Sequence, residues 1–225
     1  RDRDDFIYFW QALRAVFQED PSLVCFVIVG TNPKCLEQAK WNRQDNPIFQ
    51  TFNVEYLKGF SYEQTCEMIQ RLGKYMGLEF NGAVCAHIHE RYGGHPFLVR
   101  HLCSKIHHLS AKNRPVQVTK GLFQDGCEEF EKYIIGYIAS IVDILREDYL
   151  DEYELLGMLA DGDFRNFEDF AVTFPEMISH LVNYGIVDRA GDKYCFAIEA
   201  VRDYIQRRRE YVVKKPTNEA RLAEI

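Results

Sequence analysis

The sequence predicts a mostly helical fold with a minor β component. Three observations carry that expectation. Apolar residues recur at helical spacing through most of the chain. One continuous apolar run, Leu23-Val24-Cys25-Phe26-Val27-Ile28-Val29, has no polar alternation. Late in the chain, two β-prone runs flank the tight turn Ala190-Gly191-Asp192.

In chain order, Phe6, Phe9, Trp10, Leu13 and Phe17 predict an amphipathic helix over 4–19, ended by Asp20-Pro21-Ser22. The run 23–29 fits a parallel strand buried on both faces. Asn32 is placed to cap a short helix with Pro33 at its first position, reaching about Trp41. Residues 43–47 read as a polar loop and 51–57 as a second strand. Strands joined through a helix predict a parallel βαβ unit. Two parallel strands alone make no stable sheet, so neighbouring strands are expected to be absent or supplied by a partner.

From Ser61 the pattern turns helical. Ser61 and Gln64 are spaced as a capping box, Tyr62, Cys66, Ile69, Leu72 and Met76 line one face, and Gly77 is placed to end the helix. A second helix over 83–92 stops at Gly93-Gly94. A third starts at Pro96 and buries Leu98, Leu102, Ile106 and Leu109. Asn113-Arg114-Pro115 marks a boundary. A long helix over 119–147 carries Phe123, Cys127, Phe130, Ile134, Ile138, Ile141 and Leu145. Asp151 and Glu154 are spaced as another capping box for a helix to about Leu159, followed by a short helix at 167–172 and another over 175–184. A hairpin and a last helix, with Val201, Tyr204 and Ile205, complete the series and lead into Arg207-Arg208-Arg209. Three helices and a hairpin in that order predict a winged helix.

Composition narrows the functional classes. A 47% hydrophobic and 14% aromatic content belongs to a folded chain rather than a disordered one. No run approaches the ~18 apolar residues of a membrane helix, and the N-terminus is too polar for a signal peptide. Seven scattered cysteines fit reduced thiols better than a disulfide framework. A cytoplasmic protein without membrane contact is expected. The net charge of −7 argues against a surface that attracts nucleic acid everywhere, although a local basic patch is compatible with it. The sequence opens Arg1-Asp2-Arg3 and its first methionine is Met68, so it is expected to be a piece of a longer protein.

The segment Tyr92-Gly93-Gly94-His95-Pro96-Phe97-Leu98-Val99-Arg100, read with the upstream apolar run that ends in Thr31-Asn32-Pro33, resembles the back half of a P-loop ATPase of the AAA+ and STAND type. The resemblance covers about residues 5–205. It implies the C-terminal part of a P-loop core at 1–60, a three-helix lid at 61–115, a winged helix at 116–212 and a charged tail at 213–225. It further implies that Asn32 or Thr31 senses the γ-phosphate, that Arg43 reaches a neighbouring subunit's nucleotide, and that Gly94, Pro96 and Arg100 line the lid side. ATP and Mg²⁺ would belong to the parent protein. Gly30-Thr31-Asn32-Pro33-Lys34 has one glycine and a proline, so it is no phosphate loop, and no Asp-Asp or Asp-Glu pair follows an apolar strand. The chain by itself is therefore expected neither to hydrolyse ATP nor to bind it well.

Other readings compete. A winged helix invites DNA binding through Arg189, Lys193, Arg202, Arg207, Arg208 and Arg209. Against it, residues 151–186 hold Asp151, Glu152, Glu154, Asp161, Asp163, Glu168, Asp169 and Glu176 against Arg165 alone, and 175–184 has no lysine or arginine. Contacts with protein partners or neighbouring subunits fit that acidity better, and a scaffold or oligomerisation module is a third reading. Cys85 and His89, and likewise Cys103 and His107, lie one turn apart at a spacing that can hold zinc, but cysteines on these helices read first as small core residues and no Cys-x-x-Cys pair accompanies them. No nucleophile motif is present.

Overall fold

Helices dominate the computed structural model, which describes residues 4–22, 25–30, 32–41, 43–191 and 193–214. The chain divides into two compact units, Arg1–Glu55 and Tyr56–Ile225.

The first unit contains α1 (Asp4–Glu19), α2 (Lys34–Glu37), β1 (Lys40–Trp41) and β2 (Gln44–Asp45). Helix α1 matches its expected span, but Ile7 is its buried residue, while Phe9 and Phe17 of the expected stripe are exposed. Phe6 packs on Trp41 at 5.1 Å and Trp10 meets Phe52 at 5.8 Å. Asn46 is the polar hub of the unit. Its Nδ2 donates to the carbonyls of Cys35 (2.6 Å) and Gln38 (2.8 Å), and its Oδ1 accepts from the Ile48 amide (3.2 Å).

Two expected strands are not formed. Leu23 and Val24 lie outside the described residues. Residues 25–30 join no ladder, and Val27 and Val29 are 86% and 87% exposed. A strand that is apolar on both faces needs neighbours on both sides, and none is found among the described residues. Residues 53–57 are irregular as well, with Leu57 exposed. The sheet described in this unit is the antiparallel pair β1–β2, so there is no parallel βαβ unit among the described residues of this unit. The helix expected to reach Trp41 stops at Glu37 because the chain turns into that hairpin, where Arg43 takes a φ of 67°.

The second unit begins with α3 (Tyr62–Met76), β3 (Leu78–Glu79), α4 (Gly82–Tyr92), α5 (Pro96–Leu109) and β4 (Val116–Gln117). The Ser61–Gln64 capping box closes in both directions, and Gly77 ends α3 in the left-handed region. Asn81 caps α4 by accepting from the Val84 amide. Strand β4 pairs in parallel with β3, so the segment after Asn113-Arg114-Pro115 folds back onto the end of α3.

Helix α6 (Lys120–Asp148) follows, capped by Thr119, and buries Phe123, Phe130, Ile134, Ile138, Val142 and Leu145 along one side. It abuts α7 (Leu150–Asp161), after which come α8 (Phe164–Thr173), α9 (Pro175–Asn183), β5 (Val187–Ala190), β6 (Lys193–Phe196) and α10 (Glu199–Lys214). The expected Asp151 capping box does not form. Tyr149 already links α6 to α7 and occupies the cap position, which leaves Asp151 inside the first turn. Helix α8 starts three residues earlier than expected because Asp163 caps it. One continuous apolar core runs from Ile69 to Ile205, through every helix from α3 to α10.

A partly buried arginine fastens three of these helices. Arg91 on α4 donates from Nε and Nη2 to Glu131 on α6 (2.9 and 2.7 Å) and from Nη1 to Asp203 on α10 (2.6 Å). Burial pushes the Asp203 carboxyl up, but hydrogen bonds and charge from Arg91 and Arg202 outweigh it and hold the group below its ordinary range. Arg91→Met is expected to lower unfolding stability by about 2 kcal/mol or more, since it strands the partly buried Glu131 and leaves Asp203 with Arg202 alone. Urea unfolding at neutral pH measures this, and a loss below about 0.5 kcal/mol, the scale of a surface pair, would contradict it.

Candidate functional site

The turn between α4 and α5 is built from two glycines in succession. Gly93 (φ 60°) ends α4 with its amide on the His89 carbonyl at 2.7 Å, and Gly94 (φ 64°) follows in the same left-handed region. His95 returns to extended backbone and Pro96 opens α5. No side chain other than hydrogen fits here. A Cβ on Gly93 would sit 2.1 Å from the Ala197 carbonyl oxygen, and one on Gly94 2.1 Å from the Phe60 carbonyl oxygen. Gly59 is equally close to the turn, since its Cβ would lie 2.3 Å from the Gly93 oxygen. The Phe60 amide donates to the Gly94 carbonyl at 2.9 Å. The turn is thus wedged between the segment entering α3 and the segment entering α10.

Helix α5, fourteen residues long, has no side-chain cap at its N-terminus. Arg100 lies one turn in, exposed, with no hydrogen bond or ion pair to the described residues. The His95 ring approaches Tyr137 Oη at 3.3 Å through Nε2, while its Nδ1 is buried without a hydrogen-bond partner. Phe97 stacks loosely on Tyr137 (4.8 Å) and His101 (4.3 Å). Burial pulls the His95 imidazole below its ordinary value.

Of the other expected ligand contacts, Thr31 lies outside the described residues. The Asn32 Oδ1 accepts from the Lys34 amide at 3.0 Å, the cap-like bond its position predicts. Arg43 is exposed on the β1–β2 hairpin. Gly94, Pro96 and Arg100 therefore share one helix start, whereas Asn32 and Arg43 belong to the other unit.

Arg202, Arg207, Arg208 and Arg209 of α10 are occupied within the fold. Arg202 bonds Asp203 (3.0 Å), Arg207 donates to the Asp203 carbonyl (3.1 Å), Arg208 reaches Tyr204 (2.9 Å) and Asp143 (3.4 Å), and Arg209 pairs with Asp161 (3.0 Å). Arg189 lies over the Tyr194 ring and Lys193 is exposed. Burial pushes the Cys85 and Cys103 thiols up to about 12, which makes them protonated core residues at neutral pH. No group of three metal-ligating side chains occurs among the described residues. Sequence reasoning missed Arg91 and Asn46, whose partners are set by tertiary structure. No helix of the described residues is long and apolar enough to cross a membrane.

No protein-family model, curated protein or solved structure matches the chain.

The depressed His95 value has a definite sign. The unfolded imidazole takes up a proton near the ordinary histidine value of about 6.5, while the folded one resists protonation. Its share of stability is therefore present above about 6.5 and is lost as the pH falls below it. Urea midpoints of the wild-type protein are expected to drop more steeply between about pH 7 and 5.5 than those of His95→Gln. Equal slopes in the two proteins would refute a buried neutral imidazole.

Proposed function

We propose that the chain is the nucleotide-sensing lid and winged-helix portion of an AAA+/STAND-like ATPase. It would couple the state of a bound nucleotide to contacts with partners or neighbouring subunits, without catalysing hydrolysis by itself. The observation that carries the reading is the uncapped start of α5, where the amides of Phe97 and Leu98 receive no side-chain cap and Arg100 extends a guanidinium with no partner among the described residues. Helix N-termini and guanidinium groups both suit phosphate charge. Helices α3, α4 and α5 supply the three helices of a lid, and α7, α8 and α9 with the β5–β6 hairpin follow in winged-helix order.

ATP with Mg²⁺ is the nucleotide implied, with Asn32 or Thr31 facing the γ-phosphate and Arg43 acting across a subunit boundary. The sequence holds no phosphate loop and no Mg²⁺-holding acidic pair, so those groups would come from outside it. The exposed apolar residues Val27 and Val29 agree with a core strand that lacks neighbours. A DNA-binding module is the weaker reading, because Arg202, Arg208 and Arg209 are paired with carboxylates of α10, α6 and α7 and Arg207 donates to the Asp203 carbonyl.

The test is titration of the complete native protein with a fluorescent ADP analogue. Arg100→Ala should raise Kd about tenfold or more, the scale of a charge-assisted hydrogen bond. Unchanged affinity in Arg100→Ala and in Pro96→Ala would remove the lid assignment. A complete Arg43→Ala protein that assembles and hydrolyses ATP normally would remove the subunit-bridging role of Arg43.

A further inference from the structure

Helix α8 is anchored by little. Phe167 is its buried residue, and Ala171 packs partly against the core. On either side of that ridge the helix is apolar yet open to solvent. Phe164 is 53% exposed and Val172 84%, on one flank at i and i+8 with Glu168 between them. Phe170 and Phe174 stack on each other along the other flank at 5.9 Å and are 40% and 37% exposed. The two flanks lie on opposite sides of the buried ridge, and Phe174 follows the last helical residue. Phe164 and Val172 therefore form one strip, with on the order of 200 Å² of exposed apolar surface, and Phe170 and Phe174 another.

The charges around it have one sign. Glu152 is tied to His180 at 3.1 Å, and Glu154 and Asp161 pair with Arg209. Glu168, Asp169 and Glu176 have no cationic partner among the described residues, and Arg165 is the single cation on the helix. Apolar anchors rimmed by unneutralised carboxylates complement a helix that is apolar on one side and basic on the other. Duplex DNA and anionic membranes would be repelled by the same rim. A second copy is a poor fit, because the chain's only run of three consecutive cations, Arg207-Arg208-Arg209, is already bonded to Asp203, Asp143 and Asp161.

We propose that α8 is the docking surface for a basic amphipathic helix of another protein. Phe164 and Val172 supply the apolar contact, and Glu168 between them, with Asp169, selects the cations. This assignment stands independently of the nucleotide reading.

The full chain is titrated with a fluorescein-labelled peptide carrying leucine at helical spacing and lysine elsewhere, and with an isomer in which glutamate replaces lysine. The basic peptide should bind, more weakly at high salt, and the acidic one should not. Phe164→Ser with Val172→Ser, and separately Glu168→Lys with Asp169→Lys, should each weaken binding tenfold or more. Both double variants change exposed side chains, so their thermal unfolding should match the wild type. Absence of binding, equal binding of the two peptides, or retention in both variants would overturn the proposal. Binding of duplex DNA or of phosphatidylserine vesicles that is lost in Phe164→Ser/Val172→Ser would overturn it in favour of that ligand.

Discussion

The helical unit depends on a backbone wedge. Gly93 and Gly94 sit where main chain meets main chain on both sides, Ala197 against one glycine and Phe60 against the other. Side chains in the way can rotate, but carbonyl groups of neighbouring segments cannot, so a methyl group here displaces whole elements. The left-handed conformation adds roughly 1–2 kcal/mol for any residue other than glycine. Three points distant in sequence are registered by this one turn: the entry to α3, the junction of α4 and α5, and the exit of the β5–β6 hairpin into α10.

Around the wedge, two further features hold the same elements. Helix α6 runs the length of the unit as an apolar spine, with each buried phenylalanine or isoleucine stabilising it by roughly 1.5–3 kcal/mol relative to exposure. Arg91, the residue two before the turn, joins α4 to α6 and α10 through Glu131 and Asp203. The turn is also where α5 begins, so the uncapped amides and Arg100 are mounted on the most constrained backbone of the unit. Under the proposed function, a ligand bound there would act on a point already coupled to α10. That coupling is backbone contact rather than a chain of side chains.

How much was legible in the sequence follows from how local each signal is. The Ser61–Gln64 capping box, the glycine at position 77 and the apolar stripe of α6 need only neighbours a few residues away, and they appear as expected. Gly94, Pro96 and Arg100 were found together because they are close in sequence. That residues 25–29 form no strand was not foreseeable, because the run 23–29 records what it must bury and not whether neighbours are present. Asp151 and Glu154 have the right spacing for a cap, yet Tyr149 takes that place because α6 runs almost directly into α7. Arg91 reads as an ordinary helical charge, since its partners lie 40 and 112 residues away. The α10 arginines looked like a free basic patch, but carboxylates on α6 and α7 meet two of them and Asp203 on α10 itself engages the others.

The central claim is that the Gly93–Gly94 turn joins the start of α3, the start of α5 and α10 into one cooperative structure. Amide hydrogen exchange in Gly93→Ala tests it most directly. The account predicts that protection falls together in all three places, including the first turns of α10, which lie over a hundred residues downstream. Faster exchange confined to residues 92–96, with α10 protected as in the wild type, would contradict it.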